Sequence, residues 1–305
     1  MNDDRERFER VEACPACGGA NLRPWKKGSI DIRALRPEDV KITDSRYGLT
    51  WDLSVCADCG HIFADPCPTP AFIGSLYGAL EDPLYEEEAE GRAMNFRRVL
   101  VRLERLRREK GRLFDVGAAT GILMNLARER GWEVDGVEPS AWAVAFARDR
   151  YSLAVREGVF ETAGVPPASV DAVTMVDLIE HTARPCDAVR RAAEVLRPGG
   201  LLCLVTPNIR SVAALLAGRT WWHFRPAHLA YFTRGSLDAL FRRTGFTVVR
   251  RRSYSWTFSA RYLASRKAAF RFLLHGRRSS FLGRIPIKLA LGDSFEIYAR
   301  KDEAL

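Results

Sequence analysis

Long apolar runs are missing from this chain. No stretch of about 18 consecutive apolar residues occurs in its 305 positions, so no segment reaches membrane-spanning length. The opening MNDDRERFER is charged and lacks an apolar stretch, so no signal peptide is expected and the cytoplasm is the expected location. Internal repeats and low-complexity tracts are also absent, which excludes solenoid arrays. The seven cysteines are too few and too unevenly placed for a secreted disulfide scaffold. Acidic residues are missing from Ala239 to Gly292, where Arg250, Arg251, Arg252, Arg261, Arg266, Lys267, Arg271, Arg277, Arg278, Arg284 and Lys288 accumulate.

The remaining composition is that of a globular protein. An apolar share of 47% is enough to bury a core, and the formal net charge of +9 suits partners bearing phosphate or an anionic surface without naming one. Four of the cysteines fall into Cys14-Pro-Ala-Cys17-Gly and Cys56-Ala-Asp-Cys59-Gly. Two C-x-x-C pairs of this kind aim four thiolates at one ion, a closed tetrahedral zinc site that is structural in type. Residues 1–68 therefore read as a small zinc-ribbon-like module that depends on its metal to fold.

Residues 69–110 form a linker and helical lead-in, in which Phe96, Val99, Leu100, Leu103 and Leu106 recur at helical spacing from Tyr85 to Lys110, with Gly111 as the stop. From there to residue 305, strands and helices alternate. RLFDVGA, EVDGVEPS, AVREGVF, DAVTMVD and LLCLVTPN read as strands; ILMNLARERG, AWAVAFARDRY and CDAVRRAAEVLRPGG read as the helices between them. SLDALFRRTGF is a further helix, FTVVRRRSYSW and DSFEIYARK are terminal strands, and residues 260–290 form a basic helical insert. Alternation of this kind predicts an α/β fold with a Rossmann-like, seven-stranded, mostly parallel sheet covered by helices on both faces.

Gly117 and Gly121 stand where the first strand of that unit turns into a helix, and Glu138 follows about twenty positions later at the end of the next strand. Ligands in such sheets sit outside the carboxyl ends of the strands. A glycine there lets backbone approach a ligand, and a carboxylate can accept from two ribose hydroxyls. The pattern alone leaves three readings open: a nucleotide-like cofactor, a dinucleotide dehydrogenase (whose G-x-G-x-x-G the run does not fit), and a plain βα turn.

Asp115-Val-Gly-Ala-Ala-Thr-Gly121 resembles the first motif of class I S-adenosylmethionine (AdoMet)-dependent methyltransferases, usually D-x-G-x-G-x-G, with Ala119 in place of the middle glycine. Val137-Glu138-Pro139-Ser140, Asp171 to His181, Val195 to Gly200 and Val205-Thr-Pro-Asn208 resemble the later motifs in the family's order, over about residues 90–250. The likeness is greatest to the branch that contains ubiquinone-biosynthesis O-methyltransferases. It implies that Asp115, Gly117, Ala118, Thr120 and Gly121 meet the donor, with Asp115 and Gly117 at its methionine part. It further implies that Glu138 and Pro139 hold the ribose, that Val159 and Phe160 flank the adenine, and that Asp177 and Leu178 form the pocket floor.

Asp177-Leu-Ile-Glu180-His181 with the later His228 resembles the E-x-x-E-H metal set of some relatives, with aspartate in the first place. Two roles remain open for these residues. Glu180, His181 and His228 can serve as catalytic groups, a histidine being the general base. Alternatively, Asp177, Glu180, His181 and His228 can hold a second divalent metal beside the acceptor. The resemblance implies a methyltransferase acting on a small biosynthetic acceptor, most readily at oxygen, in specialised-metabolite, sugar or quinone biosynthesis. The acceptor could be phosphate-bearing or carrier-bound. RNA methylation is the alternative within the class, and a non-catalytic zinc-bearing binding protein is the alternative outside it. Peripheral membrane contact through the basic insert is a further expectation.

Overall fold

In the computed structural model the described residues are 7–266 other than Arg33 and Ser45, with 282–283 and 285–303. Five short strands open the chain: β1 (Phe8–Glu9), β2 (Leu22–Lys26), β3 (Leu53–Cys56), β4 (Ile62–Ala64) and β5 (Cys67–Pro68). The α/β unit then supplies β6 (Arg112–Val116), β7 (Glu133–Glu138), β8 (Arg156–Glu157), β9 (Val170–Val176) and β10 (Leu196–Pro207). The last five are β11 (Ala230–Tyr231), β12 (Phe246–Ser253), β13 (Trp256–Ser259), β14 (Pro286–Leu289) and β15 (Ser294–Lys301).

Seven of these strands form one sheet in the order β12-β15-β10-β9-β6-β7-β8. The strands from β8 to β10 run parallel, and β15 is antiparallel to both β10 and β12. This is the mostly parallel seven-stranded sheet expected from the alternation. Both faces are buried along β9 and the C-terminal two-thirds of β10, which is why DAVTMV and LLCLVTP read as largely apolar runs. Phe114, Val173 and Leu202 pack into one core with Val189 and Ala192 of the helix Pro185–Val195 and Leu237 and Phe241 of the helix Arg234–Arg243. Their strand neighbours Leu113, Ala172 and Leu201 point the other way, onto Val99, Leu100 and Leu103 of the helix Ala89–Leu106 and Leu123 and Leu126 of the helix Ile122–Glu129.

Several local readings shift. The helix expected through Pro198-Gly199-Gly200 stops at Val195, and those residues enter β10 instead, with a register shift between Leu196 and Leu201. Proline removes a helix donor, and Gly199 sits at φ 72°, outside helical space. Gly111 is not a helix stop, because the helix ends at Leu106. A side chain there would come within 2.0 Å of the Asp171 carboxylate, so its bareness makes room for that acid. Asp171 accepts from the Arg112 N–H and pairs with Arg107 and Arg197 at 2.6 and 2.5 Å, which ties the N-terminal ends of β6, β9 and β10 together.

The basic insert is only partly helical among the described residues: Ala260–Ser265 is a helix, but β14 pairs antiparallel with β13. Residues 267–281 and Arg284, which hold much of its positive charge, lie outside the described residues.

The N-terminal module shares its sheet with the rest of the chain. Its order is β11-β4-β3-β2, so the fourth strand comes from residues 230–231, far downstream. Cys14, Ala16 and Cys56 are packed in the same core as Leu237 and Phe241. No helix among the described residues is long and apolar enough to cross a membrane.

Candidate active site

Beyond the C-terminal ends of β6, β7 and β9 lies a cavity of about 470 Å³. The turn that leaves β6 forms one wall. Gly117 (φ 73°) and Ala118 donate their N–H groups to the Val137 carbonyl at 2.9 and 3.1 Å, which fastens the turn to β7. A Cβ on Gly117 would meet the Leu178 side chain at 2.8 Å, so glycine is required there both for space and for conformation. Gly121 (φ 83°) lies behind, where a Cβ would strike Leu153 and Ala147.

Glu138 ends β7 under this turn. One carboxylate oxygen accepts from the Ala119 N–H at 2.9 Å and the other from the Ser140 N–H at 3.0 Å. Burial pushes its pKa up, and those two bonds oppose the shift. Asp115 is buried behind the turn and accepts from the Thr174 hydroxyl at 2.5 Å. Burial raises it to about 7, with the nearby Glu138 charge adding to the shift and the Thr174 bond opposing it. Asp177 also reaches about 7 through burial, with Arg92 and Arg225 opposing. Its backbone is left-handed at φ 52°.

Gly117, Thr120, Glu138, Pro139, Val159, Phe160, Asp177 and Leu178 line the cavity, whereas Asp115, Ala118 and Gly121 lie behind the wall. Ala119 lines it as well, at φ 46°, which explains why a glycine commonly fills this position in such turns.

The three-residue turn Ile179–His181 follows β9 and carries Glu180 and His181. His181 faces the cavity and its Nδ1 lies 2.8 Å from the Tyr77 hydroxyl. The His228 ring stands edge-on to it at 4.7 Å, and His223 stacks on His228 at 5.7 Å. Glu180 accepts from the Thr206 hydroxyl at 2.9 Å through one oxygen. Its other oxygen and His228 Nδ1 are buried with no hydrogen-bond partner. Burial pushes His181 down to about 3, so it is neutral near pH 7, and burial pushes Glu180 well up, with the Asp177 charge adding to the shift. One donor atom from each of Glu180, His181 and His228 lies within 4.8 Å of the others; Asp177 is outside this group.

Among the cavity-wall residues that sequence reading missed are Tyr77, Tyr85, Arg92 and Trp256. For Arg92 a signal was present. It stands one turn before Phe96 on the apolar stripe of the helix Ala89–Leu106, and a charge on that stripe has to face something polar.

The Cys14, Cys17, Cys56 and Cys59 sulfurs converge, all within 4.8 Å of one another. Cys14 approaches Cys59 at 3.7 Å and Cys17 approaches Cys56 at 3.6 Å.

A family model described as a methyltransferase domain matches residues 85–251, more than half of the chain. The chain therefore belongs to this family and is an S-adenosylmethionine-dependent methyltransferase. Among similar curated proteins is the ubiquinone biosynthesis O-methyltransferase of Cereibacter sphaeroides strain KD131, 28% identical over 172 residues, 50% of this chain and 70% of the relative. The protein of that name from Xanthomonas campestris pv. campestris strain 8004 is 33% identical over 113 residues, 35% of this chain and 47% of the relative. Among solved structures, a SAM-dependent methyltransferase from Archaeoglobus fulgidus superposes with a TM-score of 0.52 at 18% identity, covering 72% of this chain and 98% of that one.

Ala119→Gly should relieve about 1 kcal/mol of left-handed strain and raise the melting temperature by a few degrees. A lower melting temperature would show that the Ala119 methyl packs more usefully than its backbone is strained.

Proposed function

We propose that this chain methylates a hydroxyl of a small, largely apolar acceptor. The donor ribose would sit on Glu138 with Pro139 beside it, the adenine between Val159 and Phe160, and the methyl near Gly117 and Asp177. The observation that carries this reading is the continuity of the cavity. Glu138 shares this one cavity with Ile42, Ile73, Tyr77, Phe96, Trp256 and His181. An apolar ring fits such walls, and the curated relatives named above are O-methyltransferases.

When bound, the donor supplies both the activated methyl and its leaving group. The chain has to exclude water, align the acceptor oxygen with the methyl and manage one proton. Glu138 fixes the donor through the same carboxylate that the Ala119 and Ser140 N–H groups hold in place. Tyr77 and His181 orient the acceptor hydroxyl; His181 is neutral at physiological pH and can accept its hydrogen bond. Glu180→Ala and His181→Ala are expected to slow methyl transfer to a panel of phenols and catechols by at least 100-fold while donor affinity stays within a factor of three. Unchanged rates would remove these residues from the site.

A second reading is favoured by the two orphaned atoms, Glu180 Oε1 and His228 Nδ1. The donor set Glu180, His181 and His228 fits a divalent cation, whose chemistry would be to lower the pKa of the acceptor hydroxyl. Under this reading a chelator abolishes the activity and a divalent salt restores it.

The cysteine cluster fits zinc. Tetrahedral bonds of about 2.3 Å put thiolate sulfurs about 3.8 Å apart, close to the observed 3.6 and 3.7 Å. Cys14 is drawn down to about 5, chiefly by the hydrogen bond from Cys59, while burial pushes Cys56 up to about 11. Four thiolates held this close need a cation among them. One zinc per chain is expected by elemental analysis, and Cys17→Ser should lose it and melt several degrees lower. A full-length protein that is free of zinc and melts normally would refute the site.

The acids also set a pH dependence. Asp115 and Asp177 sit near 7 without ligand, and a bound cation lowers both. Affinity for cationic AdoMet should therefore rise relative to that for the neutral thioether S-adenosylhomocysteine between pH 6 and pH 8. A ratio independent of pH would put the sulfonium elsewhere.

A further inference from the structure

We infer that Asp293 is a positioning residue of the site: it holds the His223 ring, and His223 in turn holds His228 beside His181. The inference rests on the reading above that His181 and His228 serve the acceptor, directly or through a cation.

Asp293 stands immediately before β15 and is 1% exposed. Its backbone carbonyl accepts from the Asn208 N–H at 2.8 Å, just past the end of β10, so the sheet sets its position. One carboxylate oxygen takes two ring donors, the Trp222 indole N–H at 2.8 Å and His223 Nε2 at 3.2 Å. A carboxylate only accepts, so Nε2 carries the hydrogen and Nδ1 of a neutral His223 is bare. Burial favours that neutral ring, and the Asp293 contact opposes the shift.

His223 and His228 lie in the stretch from Trp221 to Leu229, which belongs to no helix or strand. Regular backbone pairing does not orient their rings; packing does. His223 stacks on His228 with the planes 19° and the centres 5.7 Å apart, and His228 stands at 86° to His181. His228 Nδ1 has no hydrogen-bond partner of its own. Asp293 is thus the fixed end of a row that runs through His223 and His228 to His181 at the cavity wall. A buried carboxylate is costly to keep. Satisfying the Trp222 indole needs only a neutral acceptor, whereas selecting one tautomer of a histidine needs a group that accepts and cannot donate.

The Asp293 charge also raises the pKa of Asp177, which lines the cavity. A loss of activity therefore has two routes, through His223 or through Asp177, and a double-mutant cycle on the full chain separates them. Asp293→Asn keeps the shape but can donate. His223→Phe keeps a stacking ring without its nitrogens. Both variants and their combination are assayed for methyl transfer to the best member of the phenol and catechol panel, for S-adenosylhomocysteine affinity by calorimetry, and for melting temperature.

Asp293→Asn should lower kcat about 10- to 100-fold, with KM and S-adenosylhomocysteine affinity within a factor of about three and melting within a few degrees of wild type. A role in stability alone would leave the kcat of the folded enzyme where it is. His223→Phe should lose a similar amount, and the double variant should fall no more than about threefold below the poorer single one, because both changes break the same row.

The inference is overturned if Asp293→Asn turns over like wild type, if its S-adenosylhomocysteine affinity falls as far as its kcat, or if the two losses multiply. Where Asp293→Asn does not fold, His223→Phe decides: a lowered kcat supports the row and wild-type turnover overturns it. A wild-type protein that methylates no member of the panel, or that is indifferent to His181→Ala, would instead defeat the acceptor reading itself, and this inference with it.

Discussion

The Val137 carbonyl, which accepts from both Gly117 and Ala118, is the contact on which the rest of the site depends. It fastens the turn after β6 to the neighbouring strand. The turn can make this bond only with Gly117 at positive φ and with no side chain toward Leu178. With the turn pinned, the Ala119 N–H points at Glu138, and the carboxylate is held under the cavity from two sides. The cavity wall and its acid are thus one hydrogen-bonded unit, with Asp115 and Thr174 as the strut beneath.

A second set of ties runs from the N-terminal module to the other end of the cavity. β4 pairs with β11, and the residue before β11, Leu229, donates its N–H to the Glu180 carbonyl. His228 is therefore held next to His181 by a sheet whose remaining strands surround the cysteine cluster. His61, which follows Cys59-Gly60, packs at a tilt against Phe232 just after β11, with ring centres 4.7 Å apart. A module that looks separate along the chain thus sets the position of a residue deep in the site.

Electrostatically, burial disfavours the charged forms of the ionisable groups around the pocket. Burial raises Asp115, Glu138, Asp177 and Glu180 and lowers His181, His223 and His228. Such a pocket without ligand favours neither sign strongly, and it gains most from a ligand carrying its own charges. AdoMet, with its sulfonium, ammonium and carboxylate, is a ligand of that kind.

Local sequence was sufficient for the sheet and for the turn and acid that wall one end of the cavity. The period of the strands, the glycines at 117 and 121 and the acid at 138 act within one βαβ unit, so their meaning is set by near neighbours. The two C-x-x-C pairs were legible for a similar reason, since their spacing alone aims the thiolates at a common point. Tertiary structure decided the rest. Only long-range pairing brings β11 to β4, places His228 against His181, or leaves Asp177 out of that cluster. Only packing against Asp171 reveals what Gly111 is for. Arg92 has no motif, and its enclosure at the cavity wall is a property of the folded surroundings that no local pattern records.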